Sequence, residues 1–324
     1  MIAGADDDGR RLDRLLRKAL PELPLSAIHR LLRWGRVLTE GRPGGAADRI
    51  RAGTVIRILE EGASVICSGK RSSTSGPVRG KGVSLDILRE APGLLIVNKP
   101  AGMGVHGPSS GGETLETLVR SFLADQLSPS LSFKPGPLHR LDRNTSGVMV
   151  FSSSLEGARR FSALIREERV SKGYIALVEG TIKEDETWED HLIRDRFLGK
   201  SFTAEPGAGT KRALARVKPL ARAAGFSLIS LEISTGRTHQ IRVQAAARGH
   251  PLAGDVKYGG KSRKGGFLLH AHTLEFPWPG SAGSAGEELI RVSAPLPGGF
   301  RKTIAGLFGA GLQYLDFPFN DEYV

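Results

Sequence analysis

A chain of 324 residues, 40% of them hydrophobic, can bury the core of one large or two ordinary domains. No run of about 18 apolar residues offers a membrane span, Asp6-Asp7-Asp8 stands where a secretory signal would need an apolar stretch, and the single cysteine, Cys67, excludes an intramolecular disulfide and a thiolate metal cluster, so a globular cytoplasmic protein is expected. Lys and Arg number 46 against 34 Asp and Glu, and this net charge of +12 points to a polyanionic partner drawn in by counterion release.

Leu12, Leu15, Leu16, Ala19 and Leu20 recur at helical spacing and predict a docked helix stopped near Pro21 and Pro24, with Asp13 as a surface acid. Ser26 is the expected N-cap of a second helix that turns Ile28, Leu31 and Leu32 inward. Its outer side would carry Arg30, Arg33 and Arg36, three apart, as a basic ridge, and Gly35 would end it. Short strands near 37–38 and 54–59 would close a small module assigned to residues 9–67. Residues 68–82 hold almost nothing apolar and several cations; they read as a flexible basic linker that lets the module sample positions.

From residue 83 to 324 the chain alternates strand-like runs, near 94–97, 148–151, 174–178, 226–233 and 267–274, with helical patterns at 155–166 and 239–248. This is an α+β pattern, without a repeat of solenoid period. The aromatic and acidic tail 317–324 is expected to pack on a sheet edge.

Within this part, His139-Arg140-Leu141-Asp142-Arg143-Asn144-Thr145-Ser146-Gly147 places one carboxylate in a short polar segment just before a β-branched run fit for a buried strand. An aspartate held there can be aimed. Arg11-Leu12-Asp13-Arg14 repeats the core of the motif inside a helical stripe with no Thr-Ser-Gly after it, so the flanks carry the signal.

The nonapeptide closely resembles the signature loop of the RluA-type pseudouridine synthases. Three further segments follow the same family in order: Asn98-Lys99-Pro100-Ala101-Gly102 with His106; Lys172-Gly173-Tyr174; and Thr235-Gly236-Arg237-Thr238-His239-Gln240-Ile241-Arg242 leading to Gly254-Asp255 and Tyr258. Gln244 departs from the pattern, standing where histidine is frequent. The first module resembles the S-four-type RNA-binding domain, with Glu40 where Asn is common.

The resemblance implies a catalytic domain at 83–324 with a mixed, mostly antiparallel sheet, joined to a small α/β RNA-binding domain. It implies isomerisation of uridine to pseudouridine in RNA. No atom is gained or lost in that reaction, so no cofactor, metal or nucleotide is required.

Asp142 is the implied catalytic carboxylate, and Arg242 its ion-pair partner, needed because a carboxylate removed from water otherwise protonates. Tyr174 would offer a face to the uracil. Arg140 would fill the space the flipped base vacates or hold a flanking phosphate, and His139 would brace the loop. Lys99, Arg237 and His239 join Arg30, Arg33 and Arg36 as expected RNA contacts. The small domain and Val105-His106-Gly107 lean toward large-subunit ribosomal RNA or its precursor particle as the structured partner, bound by a monomer. A transfer RNA synthase and a non-catalytic ribosome-assembly factor are the alternatives.

Other patterns weigh less. Gly107-Pro108-Ser109-Ser110-Gly111 satisfies G-x-S-x-G, but its proline and glycines suggest an open turn where a strand-to-helix elbow is needed. Gly260-Lys261-Ser262 lacks the P-loop glycine, with Asp255 in its place. His270 and His272 alternate on a strand, which predicts rings on opposite faces.

Overall fold

The computed structural model describes residues 1–59, 84–107, 113–127, 130–280 and 286–309; the expected linker at 68–82, Cys67, motif residues 108–111 and the tail lie outside them. Among the described residues no helix is long and apolar enough to cross a membrane.

The first module contains β1 (Arg10–Arg11), α1 (Leu12–Ala19), α2 (Leu25–Arg33), β2 (Val37–Thr39), β3 (Arg42–Pro43), β4 (Arg49–Ile50) and β5 (Ile56–Ile58). Leu12, Leu15 and Leu16 of α1 meet Ile28, Leu31 and Leu32 of α2 over Val37, Ile50 and Ile56, so the leucine stripe does form the core. Four expectations are corrected here. Asp13 is buried, gripped by Arg11 through Nε at 3.1 Å and Nη2 at 2.7 Å. Pro24 occupies the N-cap position of α2, and Ser26 lies inside the helix. Because α2 ends at Arg33 and Gly35 turns the chain at φ +64°, Arg36 leaves the ridge of Arg30 and Arg33. The first residues belong to the module, since the N-terminal amine donates to Ile56 O at 2.7 Å and Ala3 N to Thr54 O at 3.0 Å.

The module is docked on the second unit. Asp7, fully buried, accepts from Leu131 N at 2.8 Å, Ser132 N at 3.0 Å, Ser130 Oγ at 3.0 Å and the Ser132 hydroxyl. Burial alone would raise its pKa, but these bonds outweigh it and hold the carboxyl below its usual range. Asp6 accepts from Leu155 N at 2.9 Å, Arg10 donates to Ser132 Oγ at 2.7 Å, and Leu131 packs against the module's core. These bonds replace the expectation of a small domain that samples positions.

The second unit runs β6 (Ile87–Ala91), β7 (Leu94–Lys99), α3 (Leu115–Leu123), β8 (Gly136–Pro137), β9 (Ser146–Ser152), α4 (Leu155–Arg166), β10 (Ser171–Glu179), β11 (Glu186–Asp195), β12 (Lys200–Ala204), β13 (Lys211–Ala223), β14 (Phe226–Ile233), α5 (Gln240–Ala247), β15 (Leu269–Pro279), β16 (Glu287–Ser293) and α6 (Gly298–Phe308). One sheet takes the order β12-β11-β13-β14-β10-β15-β9-β7-β6, with β16 beside β15 and β8 beside β9. Its pairings are antiparallel except β9 with β15, so the fold is the expected α+β arrangement around a mixed, mostly antiparallel sheet.

Alternation along the strands makes both faces apolar. Leu95, Val97, Met149 and Phe151 face α3 and α5, while Leu94, Ile96, Val148 and Val150 face α4 through Phe161 and Leu164. Register shifts interrupt the alternation at 87–89, at 219–221 and between β10 and β15. The β10–β15 register shifts between Gly173 and Tyr174, leaving His272 as an extra residue. His270 and His272 therefore lie with ring centroids 5.8 Å apart and both bond Ala294 O, contrary to the expectation of opposite faces.

Candidate active site

The sheet's one parallel contact opens the site. β9 and β15 pair only at Ser146 with His270 and Gly147 with Ala271, and the chain before Ser146 is free to leave as a loop. Gly147 stands at φ +112°, where a Cβ would collide with the carbonyl of Ala271, so only glycine lets the two strands meet. Beyond this point His139 completes the ladder, its Nε2 accepting from Val150 N at 3.0 Å. Burial, with a smaller contribution from Lys172, pushes its pKa down to about 3, so the ring is neutral and braces the loop.

The loop is also fastened from the β7 side. Arg143 O accepts from Gly102 N at 2.9 Å and from Lys99 Nζ at 2.9 Å, and Arg143 Nε donates to Gly102 O at 2.8 Å. Lys99 is wholly inaccessible and bonds a second carbonyl, Pro100 O. Its expected role as an RNA contact is therefore corrected: an inaccessible amine that caps two loop carbonyls cannot reach a phosphate. Burial lowers its pKa to about 8, with the charge of Asp142 opposing the shift.

Leu141 anchors the loop in the core and turns Asp142 into the cleft. Arg242, in the first turn of α5, donates from Nη1 to Asp142 Oδ2 at 2.8 Å. Its other edge meets Asp255 through Nε at 2.7 Å and Nη2 at 2.8 Å, and its faces lie against Phe267 at 4.4 Å and Tyr258 at 5.0 Å. Burial works against the guanidinium charge, but the two carboxylates outweigh it and raise the pKa. Asp255, 1% exposed, follows Gly254 at φ +95°, where a side chain would strike the Gly266 carbonyl.

His239 precedes α5 in a left-handed conformation, φ +57°. Its Nε2 lies 3.8 Å from Asp142 Oδ1, and its Nδ1 is 2.8 Å from Tyr258 Oη, which itself accepts from Ser201 N at 2.9 Å. Arg194 Nη1, which can only donate, lies 3.5 Å from the same Nδ1, so we assign Nδ1 as the acceptor and the ring proton to Nε2, facing Asp142. Burial lowers the His239 pKa to about 4; Asp142 opposes the shift, and Arg242 and Arg194 add to it.

Two connected hollows meet at Asp142. The larger, about 830 Å³, is lined by Val105, His106, Arg140, Asn144, Lys257 and Phe267 among others. The smaller is bounded by Tyr174, Ile233, Leu269, Thr145 and Arg237 and has the apolar walls a planar base would use. Tyr174 lies on the middle strand β10; burial and then the Asp142 charge push its phenol well above the ordinary range, so it stays protonated.

The structure thus gathers Asp142, Arg242, Tyr174, Arg140, Arg237 and His239 around one cleft, braces them with His139, and sets Lys99 beneath it. Arg30 and Arg33 are elsewhere, on the small module. Asp255, Lys257, Tyr258 and Phe267 also build the site. The motif reading named Asp255 and Tyr258 without a role; the signal for them was chemical, since an arginine that orients an acid must itself be oriented.

An aspartate at the floor of a cleft, paired to one buried arginine beside an aromatic slot, is equipped to act on a sugar while a planar base is held. The chain matches the RNA pseudouridylate synthase family over residues 93–247. It is 33% identical over 304 residues to "Ribosomal large subunit pseudouridine synthase D" of Neisseria meningitidis serogroup A, covering 89% of this chain and 76% of that one. The chain belongs to the RNA pseudouridine synthase family. Within it, "Ribosomal large subunit pseudouridine synthase C" of Escherichia coli K12 is 30% identical over 325 residues, 94% of this chain and 95% of that one. The fold is shared with "Human RNA Pseudouridylate Synthase Domain Containing 4", at a TM-score of 0.54 and 23% identity over 68% of this chain and 91% of that one. As a pseudouridine synthase the protein is an isomerase, and its site needs to rearrange one nucleotide with no net gain or loss of atoms.

Proposed function

We propose that this pseudouridine synthase isomerises uridine in large-subunit ribosomal RNA, with Asp142 as the catalytic carboxylate. The observation that carries the reading is the single hydrogen bond from Arg242 to Asp142 Oδ2, which fixes the carboxylate and leaves Oδ1 turned to the cleft. The bond from ribose C1′ to uracil N1 breaks, the free uracil turns, and C1′ joins carbon five of the ring. The proton on carbon five is then lost and N1 gains one, so the atoms balance.

Asp142 stands where it can attack C1′, stabilise its developing positive charge, or take a proton from the sugar. The slot between Tyr174, Ile233 and Leu269 would retain the detached uracil during its turn. Arg140, exposed where both hollows open, would occupy the space the extruded nucleotide leaves or hold its flanking phosphate. Arg237 and His239 are assigned to RNA on the same wall. On the docked small module, an S-four-type RNA-binding domain in this reading, Arg30 and Arg33 meet phosphates away from the cleft.

The ribosomal substrate rests on the printed names of both relatives quoted above and on a net charge of +12. The protein acts as a monomer in the cytoplasm, on rRNA or a precursor particle, before the site is enclosed. The test is a pseudouridine map of ribosomal and transfer RNA from cells with and without the gene, beside an Asp142→Asn complementation strain. Loss of specific large-subunit sites, restored only by the intact aspartate, is expected. Loss confined to transfer RNA, or an unchanged map, overturns the substrate.

A further inference from the structure

The hairpin β11–β12 reaches from the sheet's edge to the rim of the cleft. Leu198 N donates to Asp195 Oδ1 at 2.9 Å and Gly199 turns at φ +61°, so residues 195–199 form a closed turn. Its far side is tied to the cleft wall. Gly199 O accepts from Lys257 Nζ at 3.0 Å, Ser201 Oγ donates to Thr238 O at 2.8 Å, and Ser201 N donates to the Tyr258 hydroxyl that bonds His239. Arg194 Nη1 lies 3.5 Å from His239 Nδ1.

From this fixed base Phe197 stands 97% exposed, next to Leu198 at 54%. Phe202 and Ile193 on the two strands are also exposed. Arg194, Arg196 and Lys200 surround the ring in sequence, three cations against the one acid of the turn, Asp195, which accepts from Leu198 N. An apolar tip destined for another protein's core would shed such cations. Aromatic rings interleaved with arginine and lysine suit a nucleic acid, which offers base faces to stack and phosphates to pair.

We propose that the 195–199 turn is a wedge for structured RNA: Phe197 stacks on a base neighbouring the target uridine, and Arg194, Arg196 and Lys200 hold the flanking phosphates. The need for it follows from the reaction. A uridine drawn into the cleft leaves its neighbours with an unstacked face, and a ring carried on a turn that is tied to the cleft wall covers that face at the moment of extrusion.

The test uses total RNA from cells lacking the gene, which contains the true target whichever RNA carries it, and a short unpaired oligomer of the mapped target sequence. Phe197→Ala should lower kcat/KM on the folded RNA by about 10- to 100-fold, the change a stacked base represents at 1.4 kcal/mol per tenfold. The loss on the unpaired oligomer should be at least tenfold smaller, and Phe197→Trp should keep most of the activity on folded RNA. Equal losses on both substrates, or no loss on either, would overturn the wedge. So would a wild-type dimer that Phe197→Ala converts to monomer with unchanged kinetics, because the tip would then be a contact between copies.

Discussion

Arg242 gives Asp142 one hydrogen bond, Nη1 to Oδ2 at 2.8 Å, and spends its fork on Asp255, at 2.7 and 2.8 Å. The bidentate grip is thus structural and the single bond is the one that faces the cleft. A guanidinium held along one edge by a buried acid and packed against the rings of Tyr258 and Phe267 cannot swing, so the carboxylate it contacts is aimed as well.

Asp255 should therefore set the rate without touching RNA. Asp255→Asn keeps an acceptor for one of the two bonds and should lower kcat by about 100-fold, the cost of a small misplacement at the reacting centre, with KM within about threefold of wild type. Asp255→Ala leaves Arg242 half-paired and should cost about 3 to 5 kcal/mol of stability. A raised KM at unchanged kcat in steady-state kinetics would instead place Asp255 on the substrate.

Stability should fall in mild acid. His139 and His270 are neutral in the fold, with pKa values pushed by burial from 6.5 to about 3 and about 4. Below about pH 6.5 the unfolded chain binds protons that the folded chain refuses, so stability is fully present above that pH and drops as pH falls toward 4. The slope is about 1.4 kcal/mol per pH unit for each histidine. Urea midpoints between pH 7.5 and 4.5 measure it, and His270→Gln should flatten the curve; an identical curve would show that His270 titrates normally.

Gly147 should tolerate no side chain. Gly147→Ala adds a left-handed strain to a collision with the Ala271 carbonyl, and a loss of about 3 kcal/mol or more is expected in denaturant unfolding. A wild-type midpoint would mean that β9 and β15 separate without cost.

How legible this was depends on what each residue was asked to reveal. Val148 to Phe151 and Phe226 to Ile233 announce strands because β-branched and aromatic residues crowd a surface buried on both faces. β13 was missed although Ala213, Ala215 and Val217 alternate inward, because alanine carries little strand preference and its neighbours are lysine and arginine. α6 begins Gly298-Gly299, poor helix formers, and is held by Phe300 and Ile304 in a cluster that local sequence cannot display. In the site, Asp142, Arg242 and Tyr174 were found through their motifs. Lys99 was misjudged, since nothing local separates a buried lysine that caps loop carbonyls from one that meets a phosphate.

Asp7 should control the docking of the small module. Asp7→Ala removes the acceptor for Leu131 N, Ser130 and Ser132, and the buried donors left behind cost about 1 to 3 kcal/mol each. Small-angle scattering should show a larger radius of gyration and calorimetry two transitions where wild type gives one. Unchanged scattering would show that the apolar contact at Leu131 suffices.

The central claim, that Asp142 is the carboxylate that carries the isomerisation, is tested most directly by single-turnover pseudouridine formation with purified Asp142→Asn on RNA from cells lacking the gene, with RNA binding measured beside it. Asparagine preserves the shape and an acceptor for Arg242, so binding within a few-fold of wild type and no detectable pseudouridine are expected. Pseudouridine formed at a rate near that of wild type would contradict the account and return the catalytic role to another residue of the cleft.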